Sequence, residues 1–187
     1  MKFQSLCLLL LLAFLTSCTV KVSSIKQDVD VELEHDAGYL LLGVDSNSDL
    51  DSIKIYGADN IRLTREDLRS GTQYILIDLE AGDYHIGNIK LNYFWYIDLE
   101  EGYWDFTVRR GEISYIGHLE VKSRSSLWML QSQSDVELVN RSTEALLFME
   151  SQFPTILENR TLNYTGPSSD PFLRLMQEDQ QVEVSHE

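Results

Sequence analysis

Cysteine is nearly absent from this chain, which has only Cys7 and Cys18 among its 187 residues. Everything after residue 18 therefore lacks the thiols for an intrachain disulfide or a thiolate-bound zinc site. Basic residues are also scarce, with 15 against 30 acidic ones and a formal net charge of −15. This charge argues against nucleic acid as a partner, because such binding depends on Lys and Arg neutralising phosphates. It also argues against docking of the polypeptide on anionic lipid headgroups.

The short motifs of common enzyme and cofactor sites are missing as well. The sequence has no Gly-x-Ser-x-Gly elbow, no P-loop and no Gly-x-Gly-x-x-Gly stretch. The histidines are scattered, without the close spacing of a metal-binding pair: His35, His85, His118 and His186. The sequence therefore predicts no catalytic residue and no metal site, although a triad assembled from distant positions stays open.

A short apolar run precedes the second cysteine. Leu6–Leu15 carries no charge, but about ten residues cannot cross a hydrocarbon core that needs roughly 20 helical residues. The next residues complete Leu15-Thr16-Ser17-Cys18, which resembles the lipobox of bacterial lipoproteins. The resemblance implies a signal peptide at 1–17, cleavage before Cys18 and acyl chains on Cys18, with no other cofactor. An ordinary secretory signal with a chance cysteine is the alternative.

The residue after the cysteine bears on the expected location. In Gram-negative lipoproteins an Asp at that position usually retains the protein on the inner membrane, whereas Thr19 stands there in this chain. The resemblance therefore implies a lipid-anchored protein of the bacterial cell envelope, at the outer membrane and facing the periplasm. Several acyl chains make this anchoring stable, because a single chain binds a bilayer only marginally.

Alternation of apolar and polar residues predicts a mainly β fold in one domain over residues 28–160. Residues 29–34 alternate as in a half-buried first strand, and Glu112–Lys122 alternates most clearly of all. Three turns share the glycine position of a three-residue hairpin loop: Gly82, Gly102 and Gly111. Short strands joined by such turns predict an antiparallel β-sandwich.

The two ends of the chain have a different composition from this domain. Residues 18–27 are polar and are expected to form a tether. The period changes near 142–153, where we expect one short C-terminal helix with Ser142 as its cap and Pro154 at its end. Residues 161–187 are rich in Gly, Pro, Ser and acidic residues, and we expect them to form a mobile acidic tail.

Two stretches inside the domain carry a further resemblance. Leu79–Tyr84 and Phe106–Gly117, together with the lipobox, resemble small bacterial envelope lipoproteins. The domain of those proteins looks like a prealbumin (transthyretin-like) β-sandwich. The resemblance implies this fold, and it supplies no catalytic residues.

Aromatic residues are concentrated between residues 93 and 106. This stretch of fourteen holds seven aromatic side chains, which cannot all enter one core because neighbours on a strand point to opposite faces. Core packing with cover by the helix is one interpretation, and a surface strip that stacks on sugars or peptides is the other. The candidate binding residues are three aromatics and an adjacent basic pair: Tyr93, Trp95, Trp104, Arg109 and Arg110.

The leading hypothesis is a non-enzymatic binding or assembly module that contacts an envelope protein or a cell-wall component. The alternatives are a hydrolase of envelope polymers and a cation-dependent adhesion domain. Asp45–Asp51 resembles the start of a calcium loop, since hard cations bind clustered oxygen atoms. However, Leu50 stands where an EF-hand needs Gly, and Tyr56 stands where it needs Glu. A polar loop between two strands is therefore the expectation for this segment.

Overall fold

The computed structural model describes residues 19–126 and 131–176. Eleven strands lie in these ranges: β1 (Val20–Lys21), β2 (Ala37–Ser46), β3 (Ser52–Gly57), β4 (Ile61–Thr64), β5 (Gly71–Glu80), β6 (Gly82–Lys90), β7 (Tyr96–Asp98), β8 (Asp105–Val108), β9 (Ile113–Ser126), β10 (Gln131–Val139) and β11 (Leu162–Tyr164). The expectation of a mainly β protein is confirmed. The expected signal peptide and Cys18 lie outside the described residues.

Three helices follow or flank the last strands of the described ranges: α1 (Ser142–Gln152), α2 (Pro154–Asn159) and α3 (172–176). The expectation of a single C-terminal helix is therefore wrong. Pro154 does not simply end α1, because it is the first residue of α2, where its missing N–H is not needed. Ser142 is the first helical residue rather than the cap. Its N–H donates a hydrogen bond to Asn140 Oδ1 at 3.0 Å. None of the helices in the described ranges is long and apolar enough to cross a membrane.

The strands form two mixed sheets. Sheet A has the order β1-β4-β3-β6-β7, with β8 also paired to β6, and sheet B has the order β10-β9-β2-β5, with β11 paired to β9. The pairs β1–β4, β2–β9 and β9–β11 are parallel. The sheets are therefore mixed, whereas the sequence analysis predicts a wholly antiparallel arrangement. The reason is that the chain changes sheet five times, after β1, β2, β4, β5 and β8, so strands with the same direction become neighbours. The turns at Gly82 and Gly111 are thus crossings between sheets and not the expected hairpins.

The sheets and helices stack in three layers, because β2 is buried on both sides. Leu40, Leu42 and Val44 belong to the core between the two sheets. Tyr39 and Leu41 belong to a second core with α1, α2 and β11 on the other face of sheet B. A strand covered on both faces reads as a continuous apolar run, which explains residues 39–44. The outer face of sheet A is polar, and the candidate site lies on it.

The segment predicted to be a tether is held against the domain from residue 20 onward. Val20 N–H donates to the Asn60 carbonyl at 2.8 Å, which adds β1 to the edge of sheet A. Further on, the Asp67 carboxylate accepts a hydrogen bond from Ser24 N–H at 3.1 Å and forms an ion pair with Lys26 Nζ at 2.7 Å. Asp67 is buried, so these bonds replace the water that its carboxylate loses on folding. Residues 20–26 therefore form a strap along the protein rather than a free linker.

The expected first strand at 29–34 is absent from the described structure, and the predicted buried face is not formed. Val29 and Val31 are 55% and 49% exposed. Asp28 instead accepts hydrogen bonds from Thr155 and Ile156 N–H at the start of α2, at 2.8 and 3.1 Å. The segment thus caps a helix that lies far along the chain.

The folded domain extends beyond residue 160, where the mobile tail was expected to begin. Residues of β11 pair with Ile113–Tyr115 of β9, and Leu162 and Leu173 are fully buried in the second core. The apolar residues in this stretch outweigh its Gly, Pro and Ser content. Only the remainder of the expected tail, 177–187, lies outside the described residues.

We predict that Gly111→Val destabilises the protein although the site has room for a side chain. Gly111 has φ +70°, and an added Cβ would meet only Arg160 Nη1 at 3.9 Å. The cost is therefore backbone strain, about 1–3 kcal/mol of the free energy of unfolding, measured by denaturant melts. Gly111→Asn is the control, because Asn tolerates this conformation and should lose less. Equal melts for the Val variant and the wild type would contradict the assigned turn conformation.

Candidate functional site

Strand alternation places basic side chains on the outer face of sheet A. In β3, Ile53 and Ile55 are fully buried, while Lys54 between them points away from the core. In β4, Arg62 lies in the same way between two buried neighbours. Successive side chains of a strand point to opposite faces, so a cation between two apolar residues is exposed whenever those neighbours form the core.

Pairing between the strands brings these cations into one row. Arg62 is the register partner of Lys54 on one side and of Lys21 on the other. On the far side of β3, Lys54 is paired with Asn88. Directly opposed side chains of neighbouring strands have Cβ atoms about 4.5–5.5 Å apart. Three positive side chains from β1, β4 and β3 are thus direct neighbours, although they lie far apart in the sequence.

The row lies in a groove of about 730 Å³ on this face. Its lining includes five basic residues, Lys21, Lys54, Arg62, Arg65 and Lys90, and two acidic ones, Asp51 and Glu66. The groove therefore has a formal surplus of three positive charges in a chain whose net charge is −15. Such a concentration of the scarcer charge favours an anionic ligand.

Three of the five cations have carboxylate partners. Lys21 pairs with Glu66 at 3.1 Å, and Asp51 pairs with Lys90 at 2.8 Å and with Arg65 at 3.5 Å. These contacts lower the pKa of Asp51, mainly through the hydrogen bond from Lys90. Within the described ranges, Lys54 and Arg62 have no ion pair.

Lys54 and Arg62 therefore face each other on neighbouring strands without an ion pair of their own among the described residues, although the Arg62 charge is near enough to help lower the pKa of Asp51. Like charges in directly opposed positions destabilise a sheet, where pair effects reach roughly 0.2–1 kcal/mol. The chain has 30 acidic residues, and none of those described forms a salt bridge with either cation. A local cost of this kind without a structural gain is typical of functional positions.

An exposed aromatic loop adjoins the groove at the end of β6. Four consecutive aromatic side chains are exposed there: Tyr93 (84%), Phe94 (79%), Trp95 (41%) and Tyr96 (64%). The backbone of the loop is ordered by Asn92, whose Oδ1 accepts hydrogen bonds from the N–H groups of residues 94 and 95 at 2.9 and 3.1 Å. Tyr96 lines the groove, and Lys90 Nζ lies 5.9 Å from the Tyr93 ring centroid.

The structure brings together only part of the predicted binding set. Tyr93 and Trp95 lie on the exposed loop, whereas Trp104 is half-buried and packs against the core between the sheets. Arg109 and Arg110 follow β8 at the opposite end of sheet A, near carboxylates of Glu112 and Asp36 at 3.8 and 3.5 Å. Cys18 lies outside the described residues.

The basic row was missed at the level of the sequence, although a signal for it exists. Ile53-Lys54-Ile55 and Ile61-Arg62-Leu63 each place a cation between two apolar residues of a strand. This pattern indicates two outward-facing cations. It does not indicate that β3 and β4 pair in the register that makes these cations neighbours.

The acidic loop at 45–51 is occupied by contacts within the protein. Asp49 accepts hydrogen bonds from Ser70 N–H at 2.9 Å and from Arg69 at 3.0 Å, and these bonds lower the pKa of Asp49. Asp51 belongs to the groove described above. In the described ranges, no three His, Cys, Asp or Glu side chains are grouped so that they could hold a metal ion.

His118 is a buried histidine beneath α1. It is fully buried, and its Nδ1 lies 2.7 Å from Tyr115 Oη. Because Tyr115 Oη accepts the Arg141 N–H at 3.0 Å, the hydroxyl is free to donate its own proton to Nδ1. The ring rests on Gly43, where an added Cβ would lie 2.4 Å from it. Burial, followed by the nearby Arg141 charge, lowers the pKa of His118 to about 4. These contacts indicate a packing role.

We predict that His118 makes stability depend on pH between about 4 and 6.5. In this range the histidine binds a proton in the unfolded chain but not in the folded one, because its folded pKa is about 4 and its unfolded pKa about 6.5. The free energy of unfolding therefore falls by roughly 2–4 kcal/mol from this group as the pH drops through the range. Denaturant melts at several pH values should show a shallower slope for His118→Gln than for the wild type.

The exposed histidine His35 supplies the control for this experiment, since its side chain is 81% exposed. His35→Gln should retain the pH slope of the wild type. A His118→Gln variant with the full slope would mean that carboxylates alone cause the acid sensitivity.

Comparisons with known proteins do not assign this chain to a family. No family model matches the sequence, and no curated relative does. The resemblance to envelope lipoproteins therefore depends on the residues quoted for it. The groove and the aromatic loop are the features from which a function is inferred.

Proposed function

We propose that this protein is a lipid-anchored, non-enzymatic binding module of the bacterial cell envelope, attached through Cys18 and facing the periplasm from the outer membrane. Its binding surface is the outer face of sheet A together with the aromatic loop 93–96. The observation that carries the proposal is the arrangement of the two ends of sheet A. The first described residues join one end, and the exposed aromatics project from the other.

The register of sheet A supports this arrangement. Val20 N–H is bonded to the carbonyl of Asn60, in the turn between β3 and β4. β6 runs antiparallel to β3, with Lys90 opposite Ser52 and Tyr84 opposite Gly57. The turn after β6 therefore lies at the end of the sheet opposite to the turn after β3. Along β3, the pair Ile55–Ile61 and the pair Ser52–Lys90 are three residues apart, which is about 10 Å. The aromatic loop extends beyond the second pair.

The strap keeps the distance between the proposed anchor at Cys18 and the edge of sheet A short. Only one residue separates Cys18 from Val20, and two extended residues span at most about 7 Å. A lipid on Cys18 would thus hold the β3–β4 end of sheet A at the bilayer surface. The aromatic loop would then project away from that bilayer, toward a partner in the periplasm.

The exposed loop has the character of a protein-binding or polymer-binding surface. Monomeric proteins rarely expose contiguous apolar patches without a role in binding, and aromatic side chains are enriched among the residues that contribute most to interfaces. The hydrogen bonds from Asn92 fix the backbone of residues 94 and 95. A fixed loop loses less conformational entropy on binding.

The finer expectation for the fold belongs to the same proposal. The stacking of two sheets over one shared core supports a sandwich of prealbumin type, as do the stretches Leu79–Tyr84 and Phe106–Gly117. The mixed pairing of the sheets distinguishes this domain from the wholly antiparallel arrangement expected for it.

We predict that Cys18→Ser prevents lipidation. The serine hydroxyl does not replace the thiolate as acceptor, so the variant should remain as precursor or appear as an unlipidated periplasmic form. Metabolic labelling with an alkyne analogue of palmitate measures this directly. Cys7→Ser is the control, because Cys7 lies in the segment that is removed, and it should be labelled like the wild type. Label retained on Cys18→Ser would contradict the anchor.

We predict that Tyr93→Ser with Phe94→Ser reduces recovery of envelope partners when the lipidated protein is cross-linked in cells and purified. Both side chains are more than three-quarters exposed, so their removal should leave stability within about 0.5 kcal/mol of the wild type. The matched control is Leu147→Ser with Leu175→Ser, which removes two exposed apolar side chains from α1 and α3. Equal loss of partners from both double variants, or from neither, would contradict a role for the loop.

A further inference from the structure

We propose that the groove on sheet A binds an acidic glycan, that is, a chain of sugar units that carry carboxylates. This inference deepens the proposed binding function by naming the chemical class of the ligand. It depends on three features of the groove: its unpaired cations, its polar floor and the aromatic residues at its edge.

The unpaired cations indicate the sign and the kind of ligand charge. Lys54 and Arg62 are direct neighbours and have no salt bridge among the described residues. A ligand carboxylate between them would remove their mutual repulsion and accept charge-assisted hydrogen bonds from both. Arg62 adds a planar guanidinium that matches the two oxygens of a carboxylate. The ion pairs of Lys21, Arg65 and Lys90 hold the cations around this position.

The floor of the groove distinguishes a glycan from an acidic protein. Ser52, Thr64 and Asn88 lie among the cations, and Asn88 Nδ2 donates to Asp98 Oδ1 at 2.7 Å. Among the described lining residues, Tyr96 alone offers a large apolar surface. The centre of a protein interface usually contains apolar anchors, which this floor does not provide. The amide of Asn88 and the carboxylates of Asp51 and Glu66 match a ligand that carries many hydroxyl groups.

The edge of the groove offers a surface for sugar rings. Tyr96 lines the groove at the strand next to β6, and Tyr93 stands over Lys90. An aromatic ring with a polar tip packs against the apolar C–H face of a sugar while its hydroxyl reaches water or a sugar hydroxyl. Aromatic rings beside cations thus suit a ligand that has both apolar ring faces and carboxylates.

The length of the row suits a chain rather than a single ion. From Lys21 through Arg62 and Lys54 to Asn88 the row crosses four neighbouring strands. Three inter-strand spacings amount to about 14 Å. A ligand that uses the whole row therefore has several units, with charges repeated along it.

Isothermal titration calorimetry of the full-length mature protein in a non-ionic detergent tests the proposal. The probes are an oligogalacturonate, a neutral maltodextrin of similar length and poly-L-glutamate. We expect the oligogalacturonate to bind, more weakly as salt is added because the contacts are ionic. Maltodextrin should not bind, and poly-L-glutamate should bind less tightly than the oligogalacturonate.

The variant Lys54→Gln with Arg62→Gln should weaken oligogalacturonate binding by at least about tenfold, since charge-assisted hydrogen bonds contribute more than the 1.4 kcal/mol that corresponds to this factor. The control is Arg109→Gln with Arg110→Gln, which removes the same charge at the other end of sheet A and should leave the affinity unchanged.

Thermal melts separate a binding role from a structural one. Removing two opposed like charges relieves their repulsion, so the melting temperature of Lys54→Gln with Arg62→Gln should equal or exceed that of the wild type. Loss of binding with retained or raised stability supports a binding site. A marked fall in melting temperature would show that the pair stabilises the sheet, and it would overturn the proposal.

Two titration results would also overturn the proposal. In the first, the affinity for the oligogalacturonate falls equally in the Lys54→Gln/Arg62→Gln variant and in the Arg109→Gln/Arg110→Gln control, which is the result expected from net charge alone. In the second, poly-L-glutamate binds more tightly through the groove, which would indicate an acidic protein as the partner. The experiment needs neither the bilayer nor the envelope partner. Its failure is therefore distinguishable from failure of the lipid anchor or of the aromatic loop.

Discussion

Burial of β2 on both faces determines the arrangement of the other layers. The run Tyr39–Val44 sends alternate side chains into the core between the sheets and into the core beneath the helices. Sheet B therefore lies in the middle of the molecule, covered by sheet A on one side and by α1 and α2 on the other. Beneath the helices, the His118 ring occupies the space that a side chain at position 43 would need, and Gly43 leaves that space free. Sheet A has a polar outer face as a consequence, and the groove and its cations lie there.

The strap connects this architecture to the proposed anchor. Val22 and Ile25 N–H donate to carbonyls of β4 and β5, Asp67 fixes residues 24 and 26, and Asp28 caps α2, so the N-terminal segment is bonded to both sheets and to one helix. A domain held in this way cannot turn freely about a long linker. If a lipid is attached at Cys18, the end of sheet A near Asn60 faces the bilayer, and the aromatic loop faces away from it. The position of the proposed binding surface thus follows from hydrogen bonds at the beginning of the chain.

Local patterns in the sequence were sufficient for single elements but not for their partners. The alternation at 112–122 and the change of period near 142 correspond to β9 and α1, which ends at residue 152, and the positive φ of Gly111 was expected from its turn. The crossings between sheets were not foreseen, because a glycine turn looks the same in a hairpin and in a crossing. The groove was missed for a related reason. Its cations come from residues 21, 54, 62, 65 and 90, and strand pairing brings these separate parts of the chain together. The strap was missed because its contacts join residues 20–26 to distant parts of the chain, such as Asn60 and Asp67.

The central claim is that the anchor and the aromatic loop lie at opposite ends of sheet A. Fluorophores attached to Ala58→Cys, in the turn after β3, and to Tyr93→Cys, in the aromatic loop, would test it most directly. The lipidated proteins would be placed in vesicles that contain a quencher in the bilayer. Strong quenching at residue 58 and weak quenching at residue 93 is the predicted result. Quenching at residue 93 that equals or exceeds the quenching at residue 58 would contradict the account.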